Sequence, residues 1–254
     1  MDVILRGVDH PDLGTVAALA PAPDLAIALT RGRFAKRYPY TDPNEDVVAA
    51  SRHDGRTALI VADGHSGHEG SHAAVEHLLH RMDHTVPVWS RVEAVQAFHA
   101  VNEHIRQVRG PLAADHRRTR TTLALAVVAQ DAAGQRFLTH CAVGDSAVVV
   151  VRGEEVHQLT RDRQHFMGDR LTPPLLAGAL DYGQVDLAPA DVVVVVSDGF
   201  TNFAPVHAIA RAVTATDVVK AVACHIIDIA GDGGAGDNVA VAVLGPSTTP
   251  TDRI

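Results

Sequence analysis

Two apolar runs in this chain end abruptly on the same dipeptide, which constrains fold and chemistry together. Leu59-Ile60-Val61-Ala62 stops at Asp63-Gly64-His65, and the five valines Val192–Val196 stop at Ser197-Asp198-Gly199. Apolar runs of this length, bounded by turn residues, read as buried strands. A carboxylate at the end of such a strand is held rigidly and is costly to leave unpartnered. A third carboxylate, Asp237, stands directly before another apolar run, 238–244. Three carboxylates at strand ends, far apart in the chain, predict one shared cation site.

The 254 residues are 46% hydrophobic, enough for a sizeable core, and only 4% aromatic. That core must therefore be built from Val, Ala, Leu and Ile. The formal net charge of -8 disfavours a non-specific nucleic-acid binder, which would be basic. The two cysteines, Cys141 and Cys224, sit in apolar settings and read as reduced thiols rather than a disulfide framework. The first residues do not read as a signal peptide, and no apolar stretch reaches the roughly 18 residues of a membrane span. The expectation is a cytoplasmic protein with no nucleic-acid or membrane partner.

Residues 1–24 read as an irregular lead-in and 246–254 as a polar tail, leaving 25–245 as one domain. Within it, 25–30 reads as a strand and 31–44 as a polar, basic loop. Residues 47–51 and 57–62 pair as strands across the turn His53-Asp54-Gly55. Two helices follow. Ala74, Val75, Leu78, Leu79 and Met82 mark the first, and Val92, Val95, Phe98, Val101, Ile105 and Val108 mark the second, which opens on the capping box Ser90-Arg91-Val92-Glu93. Strands are expected at 121–130, 136–143, 147–151 and 155–159. The short connections 131–134 and 152–154 make them hairpins of one antiparallel sheet. Residues 161–184 read as a mixed loop. A strand at 191–197, helices near 206–213 and 216–230, and a final strand at 238–244 complete the chain. Two helix pairs need two sheet faces to cover. The economical answer is α+β, a four-layer αββα sandwich of two antiparallel sheets flanked by helix pairs.

Seven segments now stand in order: Asn44-Glu45-Asp46, Asp63-Gly64-His65-Ser66-Gly67, Thr121-Thr122-Leu123, Val143-Gly144-Asp145-Ser146, Gln158-Leu159-Thr160-Arg161-Asp162, Ser197-Asp198-Gly199-Phe200 and Gly236-Asp237-Asn238. In this order and spacing the chain resembles the metal-dependent serine/threonine protein phosphatases of type 2C (PPM), in a short bacterial-like form. The resemblance implies hydrolysis of phosphoserine and phosphothreonine in proteins by a hydroxide bridging two ions of Mn²⁺ or Mg²⁺ per chain. It implies Asp63 as the bridging ligand, Gly64 as a backbone-carbonyl ligand, and Asp198 and Asp237 as completing the set. Glu45, Asp46 and Thr122 would hold metal-bound waters or stand just behind the ligands. His65 would be the acid that protonates the leaving oxygen. The implied partner is a phosphorylated protein, opposing a serine/threonine kinase, with the phosphatase as a monomer.

The chain also departs from that pattern. The arginine that many members carry four residues before the glutamate is Thr41 here, so Arg33 or Arg37 becomes the phosphate-binding candidate. Arg120 stands where a glycine usually precedes the Thr-Thr pair. Asn202 replaces an aspartate that, with the position of Asp145, would hold a third ion, so a third site is expected to be weak. His68 and His72 stand at a spacing that tempts a zinc reading, but no cysteine or clear fourth ligand accompanies them. Two other classes of function remain: a catalytically weak phosphoprotein-binding domain, and a hydrolase of small phosphate monoesters.

Overall fold

The computed structural model describes residues 1–36, 40–82, 85–162 and 164–246. Its architecture is the αββα sandwich expected from the sequence. Strands β1 (Asp2–Arg6), β2 (Val16–Ala22) and β3 (Leu25–Thr30) open the chain, followed by the hairpin of β4 (Val47–His53) and β5 (Arg56–Ala62). The turn of that hairpin places Asp54 at φ 49° and Gly55 at φ 73°, a left-handed pair that matches the twist of the flanking strands. A short ladder of β6 (Gly64–His65) against β7 (Arg120–Thr121) brackets α1 (Glu69–Arg81) and α2 (Arg91–Val108). The Ser90–Glu93 capping box at the start of α2 forms as expected.

Next come β8 (Leu123–Gln130), β9 (Arg136–Val143), β10 (Ala147–Arg152) and β11 (Glu155–Gln158). The chain closes with α3 (Pro173–Ala179), β12 (Asp181–Asp186), β13 (Val192–Val196), α4 (Asp198–Thr201), α5 (Ile209–Ala215), α6 (Val219–Asp232) and β14 (Val239–Leu244). One sheet runs in the order β1-β4-β5-β8-β9-β12 and the other β11-β10-β13-β14-β3-β2. All of their pairings are antiparallel.

Period-two alternation sorts the side chains of each strand into layers. In β5, Leu59 and Val61 face the other sheet while Ile60 faces α1 and α2. In β13, Val193 and Val195 point between the sheets, and Val194 and Val196 point toward α5 and α6. The layer between the sheets is Leu, Ile, Val and Ala throughout, as the scarcity of aromatics requires. Burying each such Leu or Val contributes about 1.5–3 kcal/mol.

Three expectations are corrected. Residues 1–24 are not an irregular lead-in: β1 and β2 each extend one sheet at its edge. Pro21 and a run of alanines disguise β2, and edge strands tolerate proline because one side of the ladder is open. The mixed loop 161–184 contains α3 and most of β12. Its two prolines stand at the first turn of α3, where proline starts a helix rather than breaks it. Finally, β8 to β11 do not form one sheet. The two hairpins form, but Gly144, Asp145 and Ser146 carry the chain from one sheet to the other. The tail positions 247–254 lie outside the described residues.

Candidate active site

The carboxylates converge at one edge of the sandwich, where strand ends from both sheets meet. Asp63 leaves β5 of the first sheet. Asp198 and Asp237 flank β13 and β14 of the second. Asp145 lies on the crossing between the sheets. Single oxygens of Asp63, Asp145 and Asp198 lie within 4.8 Å of one another.

Asp63 is tied down on its backbone. Its N–H donates to Thr122 Oγ1 at 3.1 Å, and its carbonyl accepts from Thr122 N–H at 2.9 Å and Thr121 Oγ1 at 2.8 Å. Thr122 therefore positions Asp63 through the main chain. Gly64 leaves no room for a side chain: a Cβ there would sit 2.3 Å from the Glu45 carbonyl.

Burial and like charge raise the proton affinity of the cluster. Burial comes first for Asp63, with Asp198 and Asp46 adding to it, and its pKa stands well above the usual carboxylate range. Asp46 is 1% exposed, and neither of its carboxylate oxygens has a hydrogen-bond partner. Burial drives its pKa up to about 8. Asp145 is driven to about 6, again by burial and then by Asp198. Glu45 is raised by burial although the N–H groups of Gly67, Asp42 and Thr41 donate to its Oε1 at 2.8, 3.1 and 3.3 Å.

A positive charge already sits among these groups. Lys36 Nζ lies 2.9 Å from Asp237 Oδ1, and its side chain is 4% exposed. Burial alone would lower its pKa, but Asp237, Asp46 and Asp63 outweigh that and raise it. Sequence reasoning passed over Lys36 because it stands in a polar loop among several basic residues.

His65 stands beside the cluster, its Nε2 3.9 Å from Asp63 Oδ1. Its ring meets Phe166 edge-on at 4.7 Å. The Arg120 guanidinium covers the same Phe166 ring at 4.1 Å, and His65 and Arg120 are partners across the β6–β7 ladder. Burial lowers the His65 pKa, only partly opposed by Asp198. Beyond lies a cleft of about 410 Å³ lined by Ser66, Arg109, Arg117, Arg118, Arg120 and Asp169.

Of the two arginines expected to bind phosphate, the structure describes one. Arg33 turns away to α6, pairing with Asp232 at 2.7 Å and Asp228 at 3.8 Å. Arg37 lies outside the described residues. Arg120 is the guanidinium beside His65, and the run Arg117-Arg118-Thr119-Arg120 directly before Thr121-Thr122 was its signal. Asn202 donates from Nδ2 to Asp198 Oδ2 at 2.8 Å.

Residues 36–223 match the family model "Protein phosphatase 2C". The chain belongs to the protein phosphatase 2C family. It is a metal-dependent serine/threonine protein phosphatase. It is 26% identical over 217 residues to protein phosphatase PhpP of Streptococcus pneumoniae, covering 75% of this chain and 86% of that one. Among solved structures it resembles the serine/threonine phosphatase of S. agalactiae (TM-score 0.68, 20% identity, 92% of this chain and 100% of that one). It also resembles PstP/Ppp of Mycobacterium tuberculosis (TM-score 0.67, 19% identity, 92% and 98%).

The donor set fits a hard divalent cation. It is all oxygen on the protein side, the Asp46 oxygens are unpartnered, and Lys36 shows that the cluster accepts positive charge. The phosphatase without metal should then lose stability as pH rises. Asp46 and Asp145 bind protons more tightly folded than unfolded. Their contribution is full below the unfolded value of 3.8 and is lost as pH climbs through about 6 and about 8. In excess chelator the melting temperature of the wild type, taken relative to an Asp46→Asn variant so that the opposing slope of buried histidines such as His72 cancels, should fall by about 10 °C between pH 5 and pH 8, corresponding to about 3 kcal/mol. Saturating Mn²⁺ should remove most of that slope. A flat profile in chelator contradicts the repulsive cluster.

Proposed function

We propose that the phosphatase hydrolyses phosphoserine and phosphothreonine in proteins at the Asp63 cluster, with His65 as the proton donor. The observation that carries this reading is the convergence of Asp63, Asp145 and Asp198, with Lys36-bound Asp237 and buried Asp46, beside His65. Two ions of Mn²⁺ or Mg²⁺ would be held by Asp63, the Gly64 carbonyl, Asp198 and Asp237. When bound, they supply Lewis acidity toward phosphorus and lower the pKa of water. Glu45, Asp46 and Thr122 orient that set. Asp145 and Asn202 would make a weaker third position, because an amide at 202 brings a neutral oxygen where a carboxylate would bring charge.

The chain's own residues do the rest. His65 Nε2 faces the cluster edge, where a leaving seryl or threonyl oxygen takes up a proton. Arg120, fixed on Phe166, offers a guanidinium to the substrate phosphate. The arginines of the adjoining cleft favour substrates with acidic or phosphorylated residues flanking the target. Arg120→Ala should raise KM for a phosphopeptide by about 10-fold, the scale of one charge-assisted hydrogen bond, while kcat changes little. A changed kcat with unchanged KM removes Arg120 from substrate binding.

On the same reading the phosphatase acts as a monomer in the cytoplasm, opposite a serine/threonine kinase. Among the described residues no helix is long and apolar enough to cross a membrane. We take the functional unit to be 25–245 together with β1 and β2, since both strands belong to the sheets. The test is a phosphopeptide panel assayed with Mn²⁺, with Mg²⁺ and with chelator. Turnover should require the ion and should favour phosphopeptides over small phosphate monoesters. Full activity in chelator overturns the metal reading, and a preference for small esters overturns the protein substrate.

A further inference from the structure

Next to the carboxylate cluster, three separated segments bring a different donor set together. Asp42 comes from the loop before β4, His68 and Glu69 from the turn into α1, and His116 from the segment before β7. One ligand atom from each lies within 4.8 Å of all the others. His68 Nδ1 is 2.7 Å from Asp42 Oδ2, and His116 Nδ1 is 2.7 Å from Glu69 Oε1 and 3.9 Å from Asp42 Oδ2. The second oxygen of Glu69 is buried without a hydrogen-bond partner. Gly67 keeps the centre open: a Cβ there would sit 2.5 Å from Glu69 Oε2 and 2.8 Å from His116 Nδ1. All four side chains are partly exposed, between 17% and 29%, which leaves an entry path.

We propose that Asp42, His68, Glu69 and His116 form a second divalent-cation site, of the zinc type. Two imidazoles and two carboxylates make four ligands of the types zinc takes. The two carboxylates balance the ion's charge. Mn²⁺ and Mg²⁺ prefer the all-oxygen cluster around Asp63, so the two sites sort ions by donor softness. The sequence reading set aside a zinc site on His68 and His72 for want of a fourth ligand. His72 lies outside the set, packed ring to ring on His68 at 4.7 Å, and burial drives its pKa to about 4. His116 replaces it, and Asp42 and Glu69 supply the missing ligands.

This site touches the catalytic edge through Glu45. The N–H of Asp42 and the N–H of Gly67 both donate to Glu45 Oε1. Thr119 Oγ1 accepts from Gly70 N–H and donates to the Gly67 carbonyl, joining the His116 segment to the same turn. An ion at the second site thus ties the two segments that hold Glu45, at Asp42 and Gly67, to the His116 segment.

The test uses the full chain, stripped of metal, carrying Asp63→Asn and Asp198→Asn to disable the carboxylate cluster. Co²⁺, a visible-absorbing surrogate for Zn²⁺, is titrated and followed by its ligand-field spectrum, and Zn²⁺ is counted by competition. One equivalent should bind with the intense absorption of tetrahedral nitrogen and oxygen ligation. His116→Ala or His68→Ala in that background should weaken binding by about 100-fold or more, since even residues behind the ligands cost 10- to 100-fold. His116→Gln, which keeps a polar contact to Glu69, provides a second variant should the alanine chain not fold, and should weaken binding equally. No tight Co²⁺ binding in the disabled background overturns the proposal, as does binding that none of these substitutions changes. In either case the four residues are a hydrogen-bonded strap only. Because the background lacks the catalytic carboxylates, the result stands apart from whether the phosphatase reading holds.

Discussion

Asp63→Asn should lower phosphopeptide turnover by about 10³-fold or more, equal to roughly 4 kcal/mol of barrier. The same change should make the metal-free protein more stable. Both follow from where Asp63 stands. Its carboxylate is within reach of Asp145 and Asp198, and its pKa is raised first by burial and then by Asp198 and Asp46. An amide removes one of the mutually repelling charges, so the cluster relaxes when no ion is present. It also removes the charge on which a hard cation depends. Calorimetric titration with Mn²⁺ should show much weaker binding, and thermal melting in chelator at pH 7 should shift upward. The backbone bonds from Thr121 and Thr122 do not involve the side chain and should survive. Unchanged Mn²⁺ affinity contradicts a bridging role, and a lower melting temperature in chelator contradicts the repulsion.

His65→Ala should cost about 10²- to 10⁴-fold on a phosphoserine peptide, the usual contribution of a general acid. A seryl alkoxide is a poor leaving group and needs the proton. An aryl phosphate leaves as a stabilised phenolate and needs it far less, so the loss on para-nitrophenyl phosphate should be much smaller. The comparison separates proton donation from damage to the cluster. His65 lies only 3.9 Å from Asp63, and a variant that merely disturbed Asp63 would lose both activities in proportion. Equal losses on the two substrates remove His65 from the acid role. Removing the ring also uncovers one edge of Phe166, so KM for the peptide should be measured alongside kcat.

The sandwich was legible in the sequence wherever a strand is buried on both faces. The valines of β13 and the run ending at Ala62 have no other reading. It was illegible at the edges. In β12, Asp181, Tyr182, Gly183, Gln184 and Asp186 are half-exposed or exposed, so no apolar alternation marks them. The crossing at Asp145 was misread because a three-residue link looks the same whether it turns a hairpin or changes sheets. In the site, the strand-end aspartates announced themselves by position. Lys36 and the Asp42–His68–Glu69–His116 group did not, because each acquires meaning only when segments distant in the chain meet. The pairing of Arg33 with Asp228 and Asp232, some two hundred residues away, was likewise invisible in the sequence.

The carboxylate cluster proposed as the catalytic centre draws Asp63 from one sheet and Asp198 and Asp237 from the other, while the buried layer between them is aliphatic, with no aromatic ring among its described residues. The spacing of that cluster is therefore a vernier on how one sheet sits over its neighbour. A slip of a fraction of an ångström, too small to disturb the hydrogen-bond ladder within either sheet, moves opposing carboxylates apart by the same amount. Trimming a methyl group from Leu59, Val61, Val193 or Val195, each fully buried, should lower turnover by more than the accompanying stability loss of about 0.5–1.5 kcal/mol explains. On the proposed reading of the site, the hydrocarbon interior of this protein is part of its catalytic alignment.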